Sequence, residues 1–127
     1  MTNGPRTLLV LELLLAVSPA FALGIAPTPD EMTAAGRWLT AHVTGPAPAP
    51  PFSFTCGGQP SAELLKGWEL KRSVRKLDES RTEHTLLYTD PRAPRAGEGS
   101  GLTARCVAVE YHDFPTAEWT LTFRNTG

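Results

Sequence analysis

Between Gly45 and Pro51 the chain reads GPAPAPP, and the hydrophobic period differs on its two sides. Before this run, apolar residues recur every three to four positions; after it, they alternate every second position. Proline lacks the backbone N–H that helices and sheets need, so the run predicts a stiff, extended connector without hydrogen-bonded structure. Such a chain is constrained to a helix tethered to a β domain.

The helical side opens with TPDE. Thr28 falls at the N-cap, Pro29 at the first helical position and Glu31 three residues after the cap. This is a capping box, in which each side chain satisfies an orphan backbone N–H. Met32, Ala35, Leu39 and His42 then share one face, with Trp38 beside it. Gly45 and Pro46 stop the helix, which is expected to pack on the β domain, or on another one, through Trp38 and Leu39.

On the other side, Phe52 and Phe54 alternate with Ser53 and Thr55, predicting a strand ended by Gly57-Gly58. SAELL predicts one helical turn before Trp68. Trp68, Leu70 and Val74 then alternate with polar residues, interrupted by Arg72 on the apolar side. LDES supplies a turn, and RTEHTLLYTD, residues 81 to 90, places His84, Leu86 and Tyr88 on one face. PRAPRAGEGSG reads as a flexible hairpin loop. LTARCVAVEYHD puts Val107, Val109 and Tyr111 opposite Ala104, Cys106 and Ala108. AEWTLTFRNTG puts Ala117, Trp119, Leu121 and Phe123 opposite Glu118, Thr120, Thr122 and Arg124.

Strand-like runs joined by short turns predict a mainly β fold: an antiparallel β-sandwich preceded by one short α-helix. No βαβ alternation is present, so no parallel sheet is implied, and no repeat of solenoid period occurs. The final strand ends on the turn signal Asn-Thr-Gly with an apolar face that lacks a partner. Sandwiches usually have seven or more strands, so the expectation is a partial sandwich cut off mid-sheet.

Residues 1–22 have the layout of a secretory signal peptide. Arg6 precedes an apolar run from Leu8 to Val17, then come Pro19 and the small-x-small triplet Ala20-Phe21-Ala22. The run is too short to span a bilayer, and Glu12 within it is a costly defect. Cleavage after Ala22 leaves residues 23–50 as helix and Pro-rich linker and 51–127 as the partial sandwich domain. The implied location is secreted or periplasmic, with no membrane contact after cleavage.

Lys and Arg (12) nearly balance Asp and Glu (13), so no long-range field draws the chain to nucleic acid or anionic lipid. Cys56 and Cys106 suit an oxidising compartment and are a candidate disulfide pair; the alternative is two buried thiols.

Little in the sequence offers chemistry. Cleavage of a glycoside needs two carboxyl groups about 5 to 10 Å apart, whereas Glu69, Glu83, Glu110 and Glu118 read as solvated strand-face charges. His42, His84 and His112 lack the close spacing of zinc ligands, so no metal is expected. GEGSGL around Ser100 is not a nucleophile elbow, and no histidine neighbours Cys56 to activate it. No phosphate-cradling loop occurs. The aromatics are more informative, because flat rings stack on sugars. Trp68 and Trp119 occupy inward-facing positions and read as core; Trp38 and Tyr111 are the candidate carbohydrate contacts.

Three segments carry a family likeness. PPFSFTCGGQPSAELLKGWEL, RTEHTLLYTDP and RCVAVEYHDFPTAEWTLTFRNTG resemble the N-terminal region of secreted bacterial α-galactosidases related to family 36 glycoside hydrolases, the melibiase group. TPDEMTAAGRW resembles the segment preceding that region, so the likeness spans residues 28 to 127. It implies an N-terminal β-supersandwich ahead of a (β/α)8 barrel. The barrel would carry the aspartate nucleophile and aspartate acid/base that hydrolyse terminal α-galactosides with retention and without a cofactor. Asp90 and Asp113 match no catalytic motif, and RAPRAGEGSG is longer than the family's hairpin turn.

The resemblance thus implies a non-catalytic module, inactive alone, whose partners are the missing barrel or further sandwich strands, and α-galactoside sugars. Two alternatives stand beside it. One is a stand-alone secreted carbohydrate-binding sandwich using Trp38 or Tyr111. The other is a non-functional fragment whose unpaired apolar face at residues 117 to 123 drives aggregation.

Overall fold

The computed structural model describes residues 24–92 and 101–126. The signal-peptide reading of residues 1–22, most of the Pro- and Gly-rich loop and Ser100 lie outside them.

Helix α1 (Pro29–Leu39) starts as its sequence dictates. The Thr28 backbone N–H donates to Glu31 Oε2 at 2.7 Å, and the Glu31 N–H donates to Thr28 Oγ1 at 3.3 Å. The helix runs on into a π-helical turn, Thr40–Thr44. Gly45 ends it where any Cβ would collide with the Thr40 carbonyl, so only glycine lets the chain leave there. Leu39 and Val43 are the buried positions, with Trp38 packed beside them.

The connector departs from expectation. It is extended, but it is hydrogen-bonded back to the helix it follows. The Ala49 N–H donates to the Ala41 carbonyl at 2.9 Å, and His42 Nδ1 bonds the Ala49 carbonyl at 2.7 Å. Alanines between the prolines keep the N–H groups that make this possible.

The strand expected from Phe52 is shorter than its pattern. Strands β1 (Thr55–Cys56) and β2 (Gln59–Pro60) form a minimal hairpin around Gly57 and Gly58, at φ of 57° and 77°. A two-residue loop with both φ values positive is the turn whose twist matches antiparallel strands. Phe52 and Phe54 precede it in extended coil. The Phe54 N–H donates to Ser61 Oγ at 3.0 Å, and the Ser61 N–H to the Phe54 carbonyl at 2.7 Å. These bonds fasten the hairpin to α2 (Ser61–Leu64), the expected turn of helix before Trp68.

Strands β3 (Glu69–Lys76), β4 (Arg81–Thr89), β5 (Leu102–Tyr111) and β6 (Ala117–Asn125) form a four-stranded antiparallel meander in chain order. The register sets residues in rows across the sheet: Leu70–Tyr88–Ala104–Phe123, Arg72–Leu86–Cys106–Leu121 and Val74–His84–Ala108–Trp119. These rows form one face, on which the helix and hairpin lie. The mainly β, antiparallel architecture expected from the sequence is therefore present, as a small two-stranded sheet over a larger one with a short helix beside it.

Two packed clusters hold the layers together. Trp68, Leu86, Tyr88, Ala104 and Cys106 pack with Phe52, Phe54 and Leu121, while Leu39 and Val43 pack with Ala108, Trp38 and Ala117. The central strand β5 contributes only small inner residues, Ala104, Cys106 and Ala108, which lets bulky partners approach closely. Leu86, 1% exposed, alone contributes about 2 kcal/mol by burial. Among the described residues no helix is long and apolar enough to cross a membrane.

Candidate functional site

Of the two tryptophans read as core, Trp68 is buried, but Trp119 remains 41% exposed. The reason is its strand: among the described residues β6 is an edge strand of the sheet, so the inward-facing side chains there have strand neighbours on one flank only. Trp119 instead lines an open depression of about 490 Å³ together with Trp38, Glu31, Ala35, Pro115 and Ala117. Helix α1 brings Trp38 and Glu31 to one wall, and the start of β6 supplies the other. The alanines keep the floor shallow.

Glu31 is held in place by the capping box, which directs both Thr28 bonds to Oε2. The Thr28 backbone N–H, then its hydroxyl, hold the Glu31 carboxyl below its ordinary range, so it is ionised at neutral pH. The Trp38 ring rests against His42, with centroids 4.9 Å apart. Two indoles and a fixed carboxylate acceptor make a surface that can stack on a sugar ring and accept from its hydroxyls.

The two sugar-contact candidates are not brought together. Trp38 lies on the covered side of the sheet, whereas Tyr111 belongs to the opposite face, with Val107 and Val109. The Tyr111 hydroxyl donates to Glu118 Oε1 at 2.9 Å, and that bond raises its pKa above the ordinary phenol value. Tyr111 is thus tied to a cross-strand neighbour away from the depression.

The strand carboxylates are each engaged. Glu69 pairs with Lys71 at 3.7 Å, Glu83 with Arg75 at 3.1 Å and Glu118 with Tyr111. Glu110 differs from its sequence reading: it faces the covered side, not solvent, and meets His84 Nε2 at 2.9 Å. His84 is therefore on a partly buried face, as its alternation predicts, and the fold gives it Glu110 as a hydrogen-bonded neighbour. His112 approaches Glu110 at 4.0 Å and bonds Thr82 Oγ1 at 2.8 Å. Among the described residues no group of three or more His, Cys, Asp or Glu is arranged to hold a metal.

Asp90, which matches no catalytic motif, has a wholly buried carboxylate that accepts from the Arg92 backbone N–H, Nε and Nη2. Asp113 is exposed. The candidate disulfide pair is found as two free thiols, Cys56 half-buried on the hairpin and Cys106 fully buried beneath it. Burial pushes the Cys106 pKa up to about 11, which makes it an unreactive thiol.

A second cleft, of about 520 Å³, lies under the proline strap between Pro46 and Phe52, with Leu70 and Tyr88 in its wall. Among the described residues the Tyr88 hydroxyl and Trp68 Nε1 are buried without a hydrogen-bond partner. Compared with protein-family models, curated proteins and solved structures, the chain shows no match.

Proposed function

We propose that this chain is the exported, non-catalytic N-terminal sandwich module of an α-galactosidase-like glycoside hydrolase. Its role is to pack against a catalytic barrel and shape one side of the sugar pocket, the barrel supplying the aspartates that hydrolyse terminal α-galactosides. The likeness of residues 28 to 127 to that group motivates the reading. The observation that carries it is the Trp38–Trp119 depression with Glu31 in its wall, an aromatic surface on an antiparallel β scaffold. Each strand carboxylate named above is committed to a neighbour, which suits a supporting part.

The same depression favours a second reading, a stand-alone sugar-binding module, because Trp38, Trp119 and the ionised Glu31 together offer stacking faces and a hydrogen-bond acceptor to a sugar. One experiment separates them. The chain is added to a family 36 catalytic barrel stripped of its own N-terminal domain, and α-galactosidase activity and melting temperature are followed. In parallel, tryptophan fluorescence of the chain alone is titrated with raffinose. A gain in barrel activity or melting temperature supports the module. A raffinose response lost in Trp38→Ala, without any effect on the barrel, supports the stand-alone reading. Silence in both arms removes both.

A further inference from the structure

The two edges of the large sheet are built differently. Edge strand β3 carries Lys71, Arg72, Arg75 and Lys76, a run of cations that opposes pairing with another strand. Edge strand β6 carries Trp119, Leu121 and Phe123 in a nine-residue run whose flanking charges are Glu118 and Arg124. Phe123 is 45% exposed there.

The hydrogen-bond parity of β6 is fixed by its neighbour. The Thr126 N–H donates to the Gly101 carbonyl and the Tyr111 N–H to the Thr116 carbonyl, both in the register that pairs Leu102 with Asn125 and Glu110 with Ala117. Hydrogen-bonded pairs recur every second residue. Glu118, Thr120, Thr122 and Arg124 therefore aim their backbone groups at β5, whereas Trp119, Leu121 and Phe123 aim theirs outward. Among the described residues no hydrogen bond reaches those outward groups.

We propose that β6 pairs with β6 of a second copy of this chain, antiparallel, about a two-fold axis through Leu121. This inference stands apart from the α-galactosidase reading. The segment EWTLTFR, residues 118 to 124, is complementary to its own reversed copy. With Leu121 opposite Leu121, Trp119 meets Phe123, Thr120 meets Thr122 and Glu118 meets Arg124, each pair occurring twice. The parity agrees, since Leu121 and the Trp119–Phe123 pairs are the positions whose N–H and C=O groups point outward.

The faces agree as well. An axis normal to the sheet keeps both covered faces on one side, so the aromatic contacts Phe54–Phe123, at 5.0 Å, and Phe52–Trp119, at 6.4 Å, would continue across the joint. Glu118 and Arg124 meet on the opposite, polar face. Aromatic and opposite-charge pairs are the favourable kinds of cross-strand neighbour. Sliding the register by two residues in either direction sets Glu118 and Arg124 against threonines and separates Trp119 from Phe123, so the complementarity selects one register.

The test is sedimentation velocity on the purified chain at micromolar concentration, with charge reversal at the joint. The wild-type protein is expected at twice the mass of a single chain. Glu118→Arg sets two guanidinium groups against each other at both ends of the joint, and Arg124→Glu sets two carboxylates there. Each change alone is expected to weaken association by about tenfold or more. An equimolar mixture of the two variants restores opposite charges and is expected to recover the dimer, as is the double variant E118R/R124E. Circular dichroism checks that each variant is folded. A monomeric wild-type chain overturns the proposal, whether or not another protein's strand occupies the edge. So does a dimer indifferent to both reversals, or one that neither the mixture nor the double variant recovers.

Discussion

The guanidinium of Arg72 donates through Nη2 to the carbonyl of Gly45 at 2.5 Å. A cation on the covered face of β3 thus caps the end of the helical segment that lies on that face. It stands between Leu70 and Val74, where charge interrupts the apolar alternation of β3. Arg72→Met, which keeps the aliphatic stem, is expected to lower stability by about 1 kcal/mol. It should also speed amide exchange at Val43 to Gly45 more than in β4 and β5. Equal exchange at the two places would show that the bond does not hold the helix.

The Tyr88 hydroxyl offers the opposite case, a polar group whose removal helps. It is buried and unbonded, and desolvation raises its pKa. Tyr88→Phe keeps the ring and its edge-on contact with Phe52 at 6.0 Å. Chemical denaturation is expected to show the variant more stable by about 1 kcal/mol, the penalty of an unsatisfied donor. A loss of stability would mean that the hydroxyl has a partner in solution.

Cys56 and Cys106 should separate in a thiol assay under native conditions. Cys56 is expected to react with a disulfide reagent at pH 8 and Cys106 only on unfolding, because its thiol is buried and titrates at about 11. Because the folded pKa lies above the ordinary value of 9.0, the neutral buried thiol contributes fully below pH 9.0, and this contribution is lost as the pH rises toward 11. Cys106→Ala should therefore flatten the loss of stability across that range. Two fast-reacting thiols, or none after unfolding, would contradict the assignment.

Thr28→Ala removes the capping hydroxyl and is expected to cost about 1 kcal/mol at neutral pH. Its partner Glu31 titrates below the ordinary value of 4.5 when folded, so the carboxylate's contribution is present above that value and lost as the pH falls through the folded pKa. The difference in melting temperature between wild type and variant should shrink below pH 4.5. A gap that stays constant into acid would show that the two halves of the box act independently.

Features set by local physics are legible in the amino-acid order. The Thr28 cap, the Gly57-Gly58 turn, the helical turn before Trp68 and the alternation of β4, β5 and β6 each depend on neighbours a few residues away. How those faces are used depends on the closed fold. Alternation shows that Trp68 and Trp119 both face inward, but not that one sits under a hairpin and the other on an edge, since cover comes from distant segments. Glu110 reads as solvated because its charge outweighs its place in the pattern; its partner His84 lies on the next strand. The bonds from Ala49 back to the helix, and the placing of Trp38 and Trp119 on one depression, likewise bring together residues that no local pattern connects, and such arrangements exist only once the layers have closed.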